Sequence, residues 1–236
     1  MIRDALIVAG KDLRIELRSK VTATQVLPFA LIILALFAFA LDTAVIRDPN
    51  DSRSLPKDAV TASIITAGLF WLATLFSMLL AVQRSFAIET ADGGRDGLRL
   101  STLDPGGIFL GKAAAVAVQM LVLEVVLGAG AVLFFNAGIS NPFLLVVTCI
   151  VATVGLAALG TCHGALTAGL RVRDSLLPLL FFPVAAPVLI GAVRATQGAL
   201  SNDAASSWTW VQLLLAFAVL FIGFGITAFG AIMEDA

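Results

Sequence analysis

The sequence predicts an all-α integral membrane protein with six membrane-spanning helices. Hydrophobic residues make up 59% of the 236 residues and charged residues only 13%, about half of their share in an average soluble domain. The mean hydropathy is +1.00. A soluble domain of this length could not bury so much apolar surface, because small domains leave much of their surface exposed.

Six apolar runs reach the length of about 20 residues that a helix needs to cross a bilayer. They cover residues 22–41, 59–83, 113–135, 143–170, 175–197 and 211–232. Backbone N–H and C=O groups in lipid must be hydrogen-bonded within the protein. Each run is therefore predicted to be a helix rather than a strand.

Residues 1–21 precede the first apolar run and show a different pattern. Ile2, Leu6, Leu13 and Leu17 recur at helical spacing, whereas basic residues occupy other positions around the helix. This pattern is typical of an interfacial helix that lies among the lipid headgroups. The segment lacks the central apolar stretch of a cleavable signal peptide, so we expect the first apolar run to be retained.

Lysine and arginine are distributed unevenly between the connections. Alternate connections, beginning with the N-terminal segment, contain Arg3, Lys11, Arg14, Arg18, Lys20, Arg84, Arg95, Arg99, Lys112, Arg171 and Arg173. The opposite side contains Arg47, Arg53, Lys57 and Arg194. Because positively charged connections stay in the cytoplasm, both termini are predicted to be cytoplasmic.

The connection 84–112 is the longest one on the basic side, and it is rich in glycine and charge. Leu98, Leu100 and Leu103 are spaced as in a short, half-exposed helix. Polar connections of this length often carry function. We therefore expect the segment to dock a partner, with a plain connector as the alternative.

Three prolines lie in the fifth apolar run, at Pro178, Pro183 and Pro187. Each removes a backbone donor and disturbs one helical turn, so this helix is predicted to be kinked or broken. A gate or re-entrant segment and a static kink that aids packing are both compatible with the pattern.

Two polar side chains are predicted to lie inside the membrane. A charged Glu124 would cost about 2.5–3.5 kcal/mol at the centre of a span, so it should face protein or a water-filled cavity, or be protonated. His163 lies beside Gly160 and Gly164, a pair suited to close helix approach. Both residues could be functional, His163 as a ligand of heme iron, or could simply hydrogen-bond a neighbouring helix.

Residues 106–112 match the phosphate-binding pattern G-x-x-x-x-G-K. However, Ala113 stands where Ser or Thr should bind Mg²⁺, and no strand is predicted before the pattern, so nucleotide binding by this chain is not expected. One histidine and no tyrosine leave little for acid–base catalysis. An active site, a bound metal and a nucleic-acid partner are not predicted.

Three stretches resemble the cytochrome c maturation protein B family, the membrane subunit of a heme exporter. The first is KDLRIELR at 11–18. The second comprises FAIE at 86–89, DGLRLSTLDP at 96–105 and FLGK at 109–112. The third runs from GALTAGLR at 164–171 through the three prolines. The second stretch is shared with many exporters of the same fold, whereas the combination is more specific and extends over nearly the whole chain.

The resemblance implies one ABC-2-type transmembrane domain over residues 1–236, in the bacterial cytoplasmic membrane. The 84–112 connection would hold a coupling helix that docks on an ATP-binding subunit of the cytochrome c maturation protein A type. The implied docking residues are Glu89, Asp92, Asp96, Leu98, Leu100, Leu103 and Pro105. A second copy of the chain, maturation proteins C and D, and chaperone E would complete the assembly.

In such an assembly the chain would be a transport subunit rather than an enzyme. ATP hydrolysis by the partner would drive transfer of heme, or release of the heme-loaded chaperone. Three alternatives remain open: an exporter of the same fold for a lipid, drug or polysaccharide, an ion-coupled carrier that uses Glu124, and a scaffold that transports nothing. Association with an ATP-binding protein and heme-attachment factors would separate these alternatives.

Overall fold

A computed structural model of the chain describes residues 1–20, 22–45, 59–91, 103–135, 138–167, 173–201 and 204–235. Across these ranges all regular structure is helical. The helices are α1 (Ile2–Ser19), α2 (Leu27–Val45), α3 (Ala59–Ala91), α4 (Pro105–Phe135), α5 (Pro142–Thr167), α6 (Arg173–Leu200) and α7 (Ala204–Asp235), and a π-helical turn (Thr22–Val26) leads into α2. The predicted all-α fold is confirmed.

Five of the described segments are long and apolar enough to cross a membrane. They are Ser63–Ala87, Pro105–Phe135, Pro142–Thr167, Leu177–Leu200 and Ser206–Ala231. A sixth span is obtained when α1 and the segment Thr24–Phe39, which are related by a bend of 54°, are counted together. The chain is therefore a multi-pass α-helical membrane protein, with five or six spans among its described residues.

Helix α1 ends at a sharp change of chain direction. Lys20 adopts a left-handed conformation with φ of 53° and donates its backbone N–H to the carbonyl of Glu16, which is the usual way to close a helix C-terminus. On α1 only Val8 is fully buried, whereas Ile2 and Leu17 are 78% and 75% exposed. An apolar surface thus remains on α1, as an interfacial helix requires.

Helix α5 lies at the centre of the bundle and contacts α3, α4, α6 and α7. Small residues allow this close packing, which replaces the hydrophobic effect as the source of helix association in lipid. A Cβ atom on Gly160 would lie 2.8 Å from Val82, and one on Gly164 would lie 2.5 Å from Phe86. The predicted close approach at Gly160 and Gly164 is confirmed, and its partner is α3.

A smaller apolar cluster lies near the connection between α4 and α5. We call this part of the molecule the far end of the bundle. Leu144, Ala195, Ala199 and Val211 form this cluster. This connection is held to the end of α6 by two backbone hydrogen bonds. The N–H groups of Ser140 and Asn141 both donate to the carbonyl of Ala199, at 3.1 Å and 2.9 Å respectively. The far end is therefore closed by backbone hydrogen bonds between the connection and α6.

Helix α6 is continuous across Pro178, Pro183 and Pro187. The prediction that this helix is broken is therefore wrong, whereas the kink predicted as the alternative stays a prediction. An interruption within a span would expose several backbone groups to lipid, whereas each proline removes only one donor. Pro183 and Pro187 are exposed on the outside of the bundle, so their rings do not displace neighbouring helices.

The predicted connection 84–112 is largely helical at both of its ends. Helix α3 continues to Ala91, and α4 begins at Pro105 rather than at residue 113. The side chain of Asp104 explains this early start, because its Oδ2 accepts the backbone N–H of Gly107 at 2.8 Å. An N-cap aspartate followed by proline at the first helical position is a strong helix start.

Candidate coupling site at the start of α4

Helix α1 lies directly against the first turns of α4. A Cβ atom on Gly107 would lie 2.9 Å from the carbonyl oxygen of Met1, and one on Gly111 would lie 2.6 Å from that of Ala5. Only glycine permits such contact between a helix and the backbone of its neighbour. Gly111 of the phosphate-binding pattern, together with Gly107 inside it, thus belongs to the crossing of α1 and α4.

The N-terminus of the chain is also held at this crossing. The terminal ammonium group donates to Oδ2 of Asp4 at 3.0 Å. This hydrogen bond holds the pKa of the Asp4 carboxyl below its usual value, and the same oxygen accepts a long contact, 3.5 Å, from the backbone N–H of Asp104. The first turn of α1 therefore adjoins the residue that caps α4.

Lys112 is the most deeply buried cation among the described residues. Its side chain is 2% exposed, and its Nζ lies 3.5 Å from Oδ2 of Asp12 and 4.8 Å from the centre of the Phe86 ring. Both contacts compensate the loss of hydration of the ammonium group. Lys112 therefore joins α1, α3 and α4.

A second ion pair connects α1 to α3. The Nε atom of Arg84 lies 3.8 Å from Oε2 of Glu16. Asp12 and Glu16 are four residues apart and therefore lie on the same face of α1. We call the group Asp12, Glu16, Arg84 and Lys112 the α1 junction, and it ties α1 to the helices on both sides of residues 92–102.

The predicted docking residues are only partly described. Asp92, Asp96, Leu98 and Leu100, as well as the side chain of Glu89, lie outside the described residues. Leu103 is half-buried against the core, and Pro105 is exposed at the first position of α4. Their role in docking stays a prediction.

Glu124 forms a hydrogen bond between α4 and α5. Its side chain is 4% exposed, and its Oε1 accepts the hydroxyl of Thr153. Its Oε2 is buried without a hydrogen-bond partner. The interhelical hydrogen bond predicted as one alternative is therefore present, and one oxygen of the carboxyl group has no hydrogen-bond partner.

His163 occupies a separate site on α5. Its Nδ1 lies 2.9 Å from the carbonyl of Leu159, and since a carbonyl only accepts, Nδ1 carries the proton. The ring meets that of Phe181 edge-on at 6.1 Å. Thr153 and His163 are ten residues apart, about 15 Å along the helix, so the structure does not bring Glu124 and His163 together. No group of His, Cys, Asp and Glu in the described ranges is suited to a metal.

Several residues of the α1 junction and of the Glu124 contact were not singled out in the sequence. Signals were present for three residues: Asp104, at the start of α4, precedes Pro105 as an N-cap does, and Asp12 and Glu16 have the spacing of neighbours on one helix face. The partners Arg84 and Thr153 had no such signal, because long-range contacts leave no local pattern.

The packed helices and the α1 junction define a multi-pass membrane protein whose N-terminal helix is tied to both helices flanking residues 92–102. The chain belongs to the CcmB protein family, whose model matches residues 3–235. The family predicted from the three sequence stretches is thereby confirmed.

Curated relatives agree with this assignment over most of their length. Heme exporter protein B of Paracoccus denitrificans is 31% identical over 198 residues, which is 82% of this chain and 83% of that protein. The protein of the same name from Rhodobacter capsulatus is 30% identical over 80% of this chain and 81% of its own. That of Pseudomonas aeruginosa is 25% identical over 94% of both chains.

Proposed function

We propose that this chain is the membrane subunit of a heme exporter that serves cytochrome c maturation. The observation that carries the proposal is the family match across residues 3–235, together with relatives named heme exporter protein B that align over most of their length. A multi-pass helical fold fits this role. The proposed outcome of transport is transfer of heme, or release of the heme-loaded chaperone E.

The proposed location is the bacterial cytoplasmic membrane with both termini inside. The α1 junction and the ends of α3 and α4 that flank it carry Lys11, Arg84 and Lys112, and basic connections are retained in the cytoplasm. The far end of the bundle, with Ile139 and Ser140 in its connection, then faces the periplasm.

ATP hydrolysis is assigned to a partner subunit that docks on the segment from Glu89 to Pro105. The α1 junction gives this docking a mechanical consequence, because it contacts the helix before and the helix after the docking segment. A shift of α4 must move α1 as well or break the ion pair of the buried Lys112, and a shift of α3 must do the same or break the more exposed pair between Arg84 and Glu16. Two copies of the chain, maturation proteins C and D, and chaperone E complete the proposed complex.

The docking role is tested with Leu100→Asp in a tagged full-length chain. Recovery of the ATP-binding subunit from membranes should fall by tenfold or more, since a buried contact residue at an interface is worth about 2 kcal/mol or more. Leu55→Asp, in the connection predicted on the opposite side, is the matched control and should leave recovery unchanged. Equal amounts of each variant in the membrane fraction verify insertion.

The transport role is tested in the same cells by heme staining of their c-type cytochromes. A strain that lacks the chain should contain no mature cytochrome c, and Leu100→Asp should restore little of it. Normal maturation in the absence of the chain would contradict the proposed transport role. Full recovery of the ATP-binding subunit with Leu100→Asp would instead contradict only the docking role.

A further inference from the structure

A large apolar cavity lies between α3, α4, α5 and α6 near the far end of the bundle. Its volume is about 500 Å³, within the usual range of small-molecule sites. The lining is formed by Thr66, Ala67, Phe70, Leu121, Glu124, Val125, Gly128, Ala129, Ala131, Val132, Ile139, Leu145, Val146, Cys149, Ile150, Thr196 and Leu200. Nearly all of these side chains are apolar, and Glu124 is the one carboxylic acid among them.

Glu124 is the polar anchor of this cavity. The residue is 4% exposed, and its Oε1 accepts the hydroxyl of Thr153. The thiol of Cys149, a weak donor, also contacts the carboxyl group. The unpartnered Oε2 is costly, because a buried polar atom without a hydrogen bond loses about 1–3 kcal/mol. A ligand that supplies a partner for Oε2 recovers this loss and is preferred over a purely hydrocarbon one.

The cavity is accessible from the side of the bundle. Val125 on α4 and Val146 and Ile150 on α5 line it, yet they are 74%, 55% and 45% exposed on the outer surface of two membrane-spanning segments. Lipid is the solvent for this surface. The cavity therefore opens towards the bilayer.

We propose that this cavity binds a neutral amphiphile from the membrane, with a long apolar body and a hydroxyl group that hydrogen-bonds to Glu124. A hydroxyl both donates and accepts, so it satisfies Oε2 whether the carboxyl is charged or neutral. A charged headgroup is disfavoured by the apolar walls. The proposed ligand differs from heme in its chemistry, because heme has two propionate groups and the apolar walls disfavour charge.

The test uses the full-length chain in vesicles of phosphatidylethanolamine and phosphatidylglycerol. The probes are a photoactivatable long-chain primary alcohol and the corresponding hydrocarbon without the hydroxyl. The alcohol should label residues of α4 and α5 that line the cavity, saturably and with about tenfold higher affinity than the hydrocarbon, the factor that one hydrogen bond provides.

Three variants assign this preference to the cavity and to Glu124. Glu124→Leu should reduce alcohol labelling to the hydrocarbon level, whereas Glu124→Gln should retain it, because an amide can accept from Thr153 and donate to the ligand. Gly128→Leu should abolish labelling by both probes, since a side chain there meets nothing within 4 Å and projects into open space. Gly223→Leu, equally unobstructed but on α7, is the matched control.

Three results would overturn the proposal. Equal labelling by the alcohol and the hydrocarbon would show that Glu124 recognises no hydroxyl. Unchanged labelling of the Gly128→Leu variant would place the probe outside the cavity. Displacement of the alcohol by a metal protoporphyrin at lower concentration than by unlabelled alcohol would assign the cavity to porphyrin instead. None of these results depends on the ATP-binding subunit or on cytochrome maturation, so the proposed export function is tested separately.

Discussion

The ion pair between Asp12 and Lys112 should respond asymmetrically to substitution. The Lys112 side chain is 2% exposed, and that of Asp12 is 14% exposed. Asp12→Ala removes a carboxylate from an ammonium group that water cannot reach, which typically costs about 3–5 kcal/mol. The Phe86 ring at 4.8 Å offsets part of this loss, so we expect about 3 kcal/mol.

Lys112→Met removes the buried charge and retains most of the packing. Asp12 then keeps Lys11, whose Nζ lies 3.0 Å from its Oδ1. We expect this variant to lose only about 1 kcal/mol, the contribution of one ordinary hydrogen bond, because the Lys112 contact is long. Since both variants break the same pair, the Asp12→Ala, Lys112→Met double variant should lose no more than Lys112→Met alone.

The assay is the free energy of unfolding in mixed detergent micelles, followed by far-ultraviolet circular dichroism. Lys11→Met is the control, because this side chain is 41% exposed and exposed pairs contribute at most about 1 kcal/mol. Equal losses for Asp12→Ala and Lys112→Met, or a double variant whose loss equals the sum of both, would refute the burial-based explanation of the α1 junction.

Two further substitutions examine helix contacts with other partners. Gly111→Leu should detach α1 from α4, because its Cβ would lie 2.6 Å from a backbone carbonyl of α1. We expect the N-terminal segment of this variant to be proteolysed faster than that of the control Gly10→Leu, whose side chain would meet nothing within 4 Å. Thr153→Val should lower the free energy of unfolding by about 1–3 kcal/mol, because it leaves Oε1 of Glu124 without its donor. A decrease smaller than the error of the measurement would contradict this prediction.

The candidate sites were predictable from the sequence to different extents. Glu124 was found because a carboxyl group in an apolar run is conspicuous, and the Gly160–Gly164 pair because small residues four apart mark a helix contact. The cavity beside Glu124 had no sequence signal, since its lining comes from four helices. Helix α4 begins at Pro105, eight residues before the predicted span 113–135. Asp104 and Pro105 carry a helix-start pattern, but the glycines and charged residues around them indicated a loop.

The membrane fold and the family follow from the sequence alone, because hydropathy and span length are local properties that lipid enforces without reference to tertiary contacts. The tertiary structure decided which buried polar groups meet. It placed Lys112 beside Asp12, one hundred residues away in the sequence, and left one oxygen of Glu124 without a hydrogen-bond partner beside an apolar cavity. Such pairings depend on how helices cross, and crossing is set by the packing of side chains from distant segments.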